Sequence, residues 1–352
     1  MPNTAVEGWN GPGSKDTVLT EVLARDNALH PHASRWAFEH WYFDAHLDSG
    51  HTVIAFLQKR RPEERPGSSP VVELLVYHPD GTRQQVTKHY PKAAFRASTI
   101  ACSVAIGPNR ASSDVSGELP VHHLHAAEDD LLLDLTFTNE TPSWMPGNGI
   151  TQYGVSNFFG WVVPAPRARV TGTVTIDGEK REVTGRGYHD HNWGVGNMPR
   201  IIERWHWGRL YTDDFSLLFA SVRTQARYAH HESQPLMLAR GGEIVLSTGE
   251  VELTEGPPVH HPDAGRSYPE WVRLQVEDRV ALTLNVRSVV HAHDLLDDVP
   301  VVRSRVVKPL VHRVVGHPGY FRFRSDFELT VVVDGEKVER SGSTLHELVA
   351  LR

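Results

Sequence analysis

Hydrophobic positions in this chain fall mostly in short runs closed by turn residues, and only rarely at helical spacing. The segments Thr52–Gln58, Val71–His78, Leu131–Thr138, Phe215–Arg223, Trp271–Glu277, Ala281–Val290 and Phe321–Val333 are rich in Val, Leu, Thr and aromatic residues, the types that suit a pleated, half-buried surface. The clearest alternation runs from Val170 to Ile176, with Val170, Val174 and Ile176 on one face and Thr171, Thr173 and Thr175 on the other. Asp80-Gly81, Asp177-Gly178 and Asp334-Gly335 predict tight hairpins, because Asp-Gly accepts the positive φ angles of a two-residue turn. Gly241-Gly242 predicts another. Helical spacing is confined to Asp16–Leu29, through Val18, Leu19, Val22 and Leu23, and to a short turn at His346–Leu351. Pro62–Pro70, Thr141–Gly149 and Glu255–Tyr268 read as exposed loops. The pattern predicts an all-β, antiparallel chain of barrels or sandwiches.

At 352 residues the chain is long for one core. Gly194–Arg200, which contains Gly196 and Pro199, is the expected junction between an N-terminal domain over 1–195 and a C-terminal domain over 196–352. A faint echo links the halves, since each has an aromatic strand near its start, around Trp41 and around Trp205.

Net charge is −7, and the arginines are spread along the chain, which argues against nucleic acid and anionic membrane surfaces as partners. The single cysteine, Cys102, allows no intrachain disulfide and no cysteine metal cluster, and reads as a small buried hydrophobe. The N-terminus lacks the basic region and apolar run of a signal peptide, and no apolar run has transmembrane length. A cytoplasmic protein without stable membrane insertion is expected; the oligomeric state stays open.

Three dense polar and aromatic clusters stand out: His40-Trp-Tyr-Phe-Asp44, Gly185-Arg-Gly-Tyr-His-Asp-His-Asn-Trp-Gly194 and Glu203-Arg-Trp-His-Trp-Gly208. Carboxylates and imidazoles are costly to bury without partners, so clusters of this kind point to a site, and the three read as its walls. Residues two apart on a strand share a face. Tyr188, Asp190 and Asn192 therefore fall together, opposite His189, His191 and Trp193. His40, Tyr42 and Asp44 fall together, opposite Trp41 and Phe43. Trp205 and Trp207 share a face, with Arg204 and His206 on the other. Each Tyr-x-Asp pair can hold its aspartate by a hydrogen bond. An apolar surround would then raise that carboxyl and keep a proton available for general acid work. Tryptophan faces could line a cavity for a greasy polyene and stabilise a carbocation.

Structural readings compete with these. The tryptophans can be core, Asp44 can pair with Arg35, and Asp190 can sit in an ion pair or a turn. Three His-x-His pairs, His123/His125, His189/His191 and His291/His293, could each offer two metal ligands, but 22 histidines make such pairs easy to find. Gly-x-Ser-x-Gly, phosphate-loop and dinucleotide fingerprints are absent from the sequence.

Taken with His40–Ala45 followed by Leu47-Asp-Ser-Gly50, Val163–Gly172, Tyr320-Phe-Arg-Phe, Asp334-Gly335 and Leu345-His-Glu347, the signature Gly185–Gly194 resembles the lipocalin-like carotenoid 1,2-hydratase (hydroxyneurosporene synthase) and AttH superfamily. The resemblance implies two lipocalin-like β domains side by side, an apolar cavity near their contact, long hydrophobic substrates and no cofactor. It implies that Asp190, with Tyr188 beside it, is the proton donor. The extra histidines, His46, His51 and His89 among them, have no counterpart expected of a carotenoid hydratase, which favours a secondary-metabolite substrate.

The resulting expectation is a cofactor-free, metal-free cyclase, isomerase or hydratase acting on a hydrophobic polyene or terpenoid. Asp190, Tyr188, His191 and His206 are the candidate catalytic residues. Trp41, Tyr42, Asp44, Asn192, Trp193, Trp205 and Trp207 are the candidate substrate-binding residues. The rival readings are a pericyclase acting on a polyketide, in which Asp190 polarises a carbonyl; a non-catalytic lipocalin-type binder; and a metal-dependent barrel.

Overall fold

In a computed structural model, residues 4–9, 19–298 and 316–352 are described. They form two large sheets in which every pairing is antiparallel, a thirteen-stranded one from strands between Ala5 and Val195 and a ten-stranded one from strands between Ile202 and Ala350. The all-β expectation holds. The predicted strands are present with bounds shifted by a few residues at most: Ala281–Val290 lies inside Val280–Asp294, whereas Val71–His78 stops at Tyr77 and Trp271–Glu277 at Val276.

Both sheets follow one plan. In the first, the strand Ala37–Leu47 pairs with the next strand, Thr52–Arg60, and with the last, Glu179–Val195. In the second, Ile202–Tyr211 pairs with the next strand, Phe215–Thr224, and with the last, Glu336–Ala350. In each half an early strand is thus central, and those two strands carry Trp41 and Trp205. The long hairpin joining Asn157–Ile176 to Glu179–Val195 turns at Asp177-Gly178 with φ of 54° and 75°. Asp334-Gly335 does the same between Gly319–Val333 and Glu336–Ala350, with φ of 55° and 79°.

Each sheet closes over its own apolar core. Trp41, Phe43, Ala45, Phe137 and Val170 lie in the first, and Leu210, Phe219, Leu282 and Phe327 in the second. A third apolar cluster joins the sheets: Tyr42, Ile54, Trp161 and Tyr188 from the first meet Leu218, Ala220 and Met237 from the second. The signature strand is therefore buried on both faces from Gly187 to Val195. One face fills a core and the other faces the seam between the sheets.

Four local expectations are corrected. Of Asp16–Leu29, residues 16–18 lie outside the described residues, and the rest contains only a 3-10 turn at Ala24–Asn27. Tertiary contacts hold this segment: the Asn27 carbonyl accepts the Trp41 Nε1–H at 3.1 Å, and Leu29 N donates to the Ser98 carbonyl at 2.8 Å. His346–Leu351 is the end of a strand running to Ala350, because His346, Leu348 and Ala350 are buried while pairing with Ile202–Tyr211. Glu255–Tyr268 contains a two-stranded hairpin arm, Pro258–His261 with Arg266–Pro269. Asp80-Gly81 lies in a wider loop in which His78 N donates to the Thr82 carbonyl at 2.9 Å and only Gly81 has positive φ; the Asp80 carboxylate accepts from Thr82 N at 2.8 Å and so sets the turn.

Candidate functional site

The register between Ala37–Leu47 and Glu179–Val195 places Asp190 opposite Tyr42 and Tyr188 opposite Asp44. Two Tyr-x-Asp pairs thus lie reciprocally on neighbouring strands, all four side chains on the seam face. Each tyrosine donates to the aspartate of its own strand, Tyr42 to Asp44 Oδ2 at 2.7 Å and Tyr188 to Asp190 Oδ2 at 3.0 Å.

Beyond those bonds the two sites diverge. Arg209, from Ile202–Tyr211 of the second sheet, forks onto Asp44, with Nη1 2.8 Å from Oδ2 and Nη2 on Oδ1. The expected alternative partner, Arg35, points elsewhere and donates to the Pro66 carbonyl. Burial pushes the Asp44 carboxyl up, but the Arg209 guanidinium, together with nearby His46 and the Tyr42 hydrogen bond, holds the group below its ordinary value.

Asp190 has no such cation. Its Oδ2 accepts from Tyr188 and from Trp161 Nε1 at 3.2 Å, and its Oδ1 accepts from Asn192 Nδ2 at 2.9 Å. Burial outweighs these three hydrogen bonds, the nearby Asp44 adds repulsion, and the carboxyl is pushed up to about 7. One motif type, placed twice, yields an ionised carboxylate and a carboxyl that carries a proton near neutrality. Asp190, Asn192, Tyr42 and Trp161 each keep 8% of their surface accessible, so space at least the size of a water reaches them. Trp207 closes the surround, its ring 5.3 Å from Tyr188 and 6.5 Å from Tyr42.

The expected residues thus divide. Tyr42, Asp44, Tyr188, Asp190, Asn192 and Trp207 come together at the seam. Trp205 shares the face of Trp207 but packs near Phe38 and Ile201, in a separate apolar cluster. His191, Trp41 and Trp193 occupy the opposite face of their strands. His191 is sandwiched near Trp41, with ring centroids 4.4 Å apart, and its Nε2 lies 3.1 Å from Glu39 Oε1; Trp193 stacks on His30 at 3.9 Å. His191 therefore does not touch Asp190, because strand alternation turns adjacent side chains to opposite faces. His206 also lies away, its Nε2 2.7 Å from Glu255 Oε1. Among the described residues, His30, Glu39 and His191 are the one grouping whose donor atoms, within 4.8 Å of one another, could hold a metal ion. Of the three His-x-His pairs, only His191 takes part.

Sequence reading missed Trp161, Arg209 and Glu39. Arg209 was within reach, since Trp205, Trp207, Arg209 and Tyr211 continue one alternating face. Nothing local marks Trp161 as a partner of Asp190, which lies 29 residues away.

Among the described residues no helix is long and apolar enough to cross a membrane. Over 135 residues the chain is 40% identical to hydroxyneurosporene dehydrogenase of Chlorobaculum tepidum, a stretch covering 35% of each protein. Over 153 residues it is 25% identical to a ceramide-binding protein of Aspergillus fumigatus, covering 42% of this chain and 39% of that one. The matches thus span little more than a third of these curated relatives. Among solved structures, a protein of Nitrosomonas europaea named as an AttH superimposes with a TM-score of 0.64 at 16% identity, over 98% of this chain and 100% of that one. Kievitone hydratase of Nectria haematococca does so with a TM-score of 0.59 at 14% identity, over 98% and 97%. At these identities the structural likeness speaks to the fold. A family model described as AttH-like matches residues 20–300, and with this match over most of its length the chain belongs to the AttH-like family.

Proposed function

We propose that the protein is an enzyme of the hydratase and cyclase type, which protonates a carbon–carbon double bond of a hydrophobic polyene or terpenoid at the seam between its sheets. The observation that carries this reading is Asp190, a buried carboxyl bound by three neutral donors and no cation, beside a matched aspartate that Arg209 neutralises. Membership of the AttH-like family and the fold shared with kievitone hydratase support it.

In this reading the Asp190 O–H proton passes to one alkene carbon, and the π pair becomes the new C–H bond. The neighbouring carbon becomes cationic, with Tyr42, Trp161, Tyr188 and Trp207 as aromatic walls. Water or a second double bond supplies the electron pair that quenches the cation. The proton released at that step, or at a later elimination, returns to the Asp190 carboxylate, so the cycle needs no co-reactant besides water. Tyr188, Trp161 and Asn192 hold the carboxyl in place and stabilise the carboxylate left after transfer. His191, His206, Trp41 and Trp193 act at most through the strands they brace.

The test is turnover of acyclic terpenoid and polyene substrates in D₂O, read by mass spectrometry. The expected product carries one carbon-bound deuterium, and Asp190→Asn lowers its rate by about 10²-fold or more. Full activity in Asp190→Asn would remove Asp190 from the mechanism. Product formed without deuterium, and largely insensitive to that substitution, would favour the pericyclic reading. The ceramide-binding relatives favour a carrier as the second reading; tight lipid binding with no conversion in this assay would select it.

A further inference from the structure

The seam holds a second polar centre. Arg322, on Gly319–Val333, is 3% exposed. Its ionic contact is Glu347, at 3.5 Å between Nη1 and Oε1, and its guanidinium lies over the Tyr77 ring at 5.0 Å. Among the described residues it makes no hydrogen bond. None of its nitrogens is both sealed from solvent and unpartnered, so its donors face reachable space. Glu347 is already engaged, since its Oε1 accepts the Tyr320 hydroxyl at 2.8 Å. A guanidinium carries five donors in a planar fork, and a buried one that spends none on protein is poised for a ligand.

Register places this centre relative to the acid. On the second sheet Trp207 pairs with Glu347, and Glu347 pairs with Arg322, so the three form one row across neighbouring strands. On the first sheet the matching row runs Asp190, Tyr42, Phe56. Tyr42 lies in the fields of both centres, influenced by Asp44 and Arg209 and by Arg322 and Glu347. Arg322 is two strand spacings from Trp207, or about 10 Å. At the rim, Arg83 lies 2.9 Å from His291 Nδ1, and His291 pairs in register with Arg322. Among these described residues, two arginines face one carboxylate.

Resting on the reading of Asp190 as the acid, we infer that the ligand is an amphiphile whose anionic oxygen group, a carboxylate by preference, is held by Arg322, two strand spacings along the second sheet from the Trp207 that closes the surround of Asp190. Phe56 and Trp207 flank Tyr42 there, with ring centroids 4.7 and 6.5 Å from it, and supply the apolar surface for the chain. Arg322 would thereby fix which double bond meets the acid, and Arg83 would draw the anion towards Arg322.

The test uses the full chain and equilibrium binding by tryptophan fluorescence, with geranylgeranic acid and geranylgeraniol as probes of equal chain and different head. Wild type should bind the acid at least tenfold more tightly, as expected for charge-assisted, bidentate hydrogen bonds. Arg322→Met should abolish that preference while keeping affinity for the alcohol. Arg322→Lys, which keeps the charge and loses the fork, should retain part of it and serves if the methionine variant does not fold. Equal affinities in wild type, binding of neither probe, or an undiminished preference in both Arg322 variants would each overturn the inference. Asp190→Asn separates the two claims. A preserved head-group preference together with undiminished turnover would sink the acid and leave the Arg322 subsite standing.

Discussion

Asp44 and Asp190 show how little of a residue's chemistry lies in its own side chain. Both are buried, and both accept a tyrosine two positions back; Asp44 then receives the fork of Arg209, whereas Asp190 receives the neutral donors Trp161 and Asn192. For Asp190 the stability consequence has a definite sign. A carboxyl whose folded value is raised from 3.8 to about 7 binds its proton more tightly when folded. Its contribution is fully present below about pH 4 and is lost as the pH rises through about 7. Asp190→Asn should therefore leave the melting temperature near pH 4 little changed and raise it at pH 8, with an upper bound of about 4 kcal/mol. A scanning calorimetry series across that window checks this. Activity that depends on the protonated form should fall over the same range, and a kcat that rises from pH 6 to pH 8 would contradict the assignment. For Arg209 the expected cost is structural. Arg209→Met strands a buried carboxylate and should destabilise by about 3–5 kcal/mol in urea melts, whereas adding Asp44→Asn should recover much of that loss.

At the scale of elements, the signature strand works because its two faces do different jobs. Gly187 marks the side that fills the core: a Cβ there would come within 2.4 Å of the Phe137 ring and 2.5 Å of Val170. Gly187→Ala should cost about 1–3 kcal/mol by overpacking. Because Gly187 directly precedes Tyr188, the substitution should also lower activity more than the lost stability accounts for, as read by kcat at a temperature where the variant is fully folded. Alternation made the seam face of this strand legible beforehand: Tyr188, Asp190 and Asn192 do share it. The same rule turns His191 and Trp193 away, so grouping them with Asp190 by nearness in sequence set them on the wrong side of the sheet. The short elements were least legible. His346–Leu351 has apolar spacing compatible with a helical turn, and pairing with Ile202–Tyr211 makes it strand. Asn27, near the end of the expected helix, is instead tied down by Trp41 and His189.

At the scale of the whole molecule, the two sheets meet through an apolar cluster crossed by the Asp44–Arg209 pair. We propose that the expected boundary at 195/196 divides two units that need each other. Expressed alone, the 1–195 fragment would leave Asp44 without its guanidinium and Tyr42, Ile54 and Trp161 uncovered; it should aggregate or bind a hydrophobic dye, while co-expression with 196–352 should yield a soluble complex on size exclusion. Two fragments that are each soluble, monomeric and dye-negative would refute that dependence. What the chain determined by itself is local and periodic. Strand positions follow from two-residue alternation, hairpins from Asp-Gly pairs, and the candidate acid from a polar cluster too costly to bury without purpose. Tertiary structure alone decided which partner each acid received. Arg209 reaches Asp44 across 165 residues, Trp161 reaches Asp190 across 29, and Arg322 comes to face Tyr77 from the other sheet. A carboxyl's proton affinity depends on burial and on charges within a few ångströms. Those neighbours come from strands distant in the chain, so no local pattern encodes them.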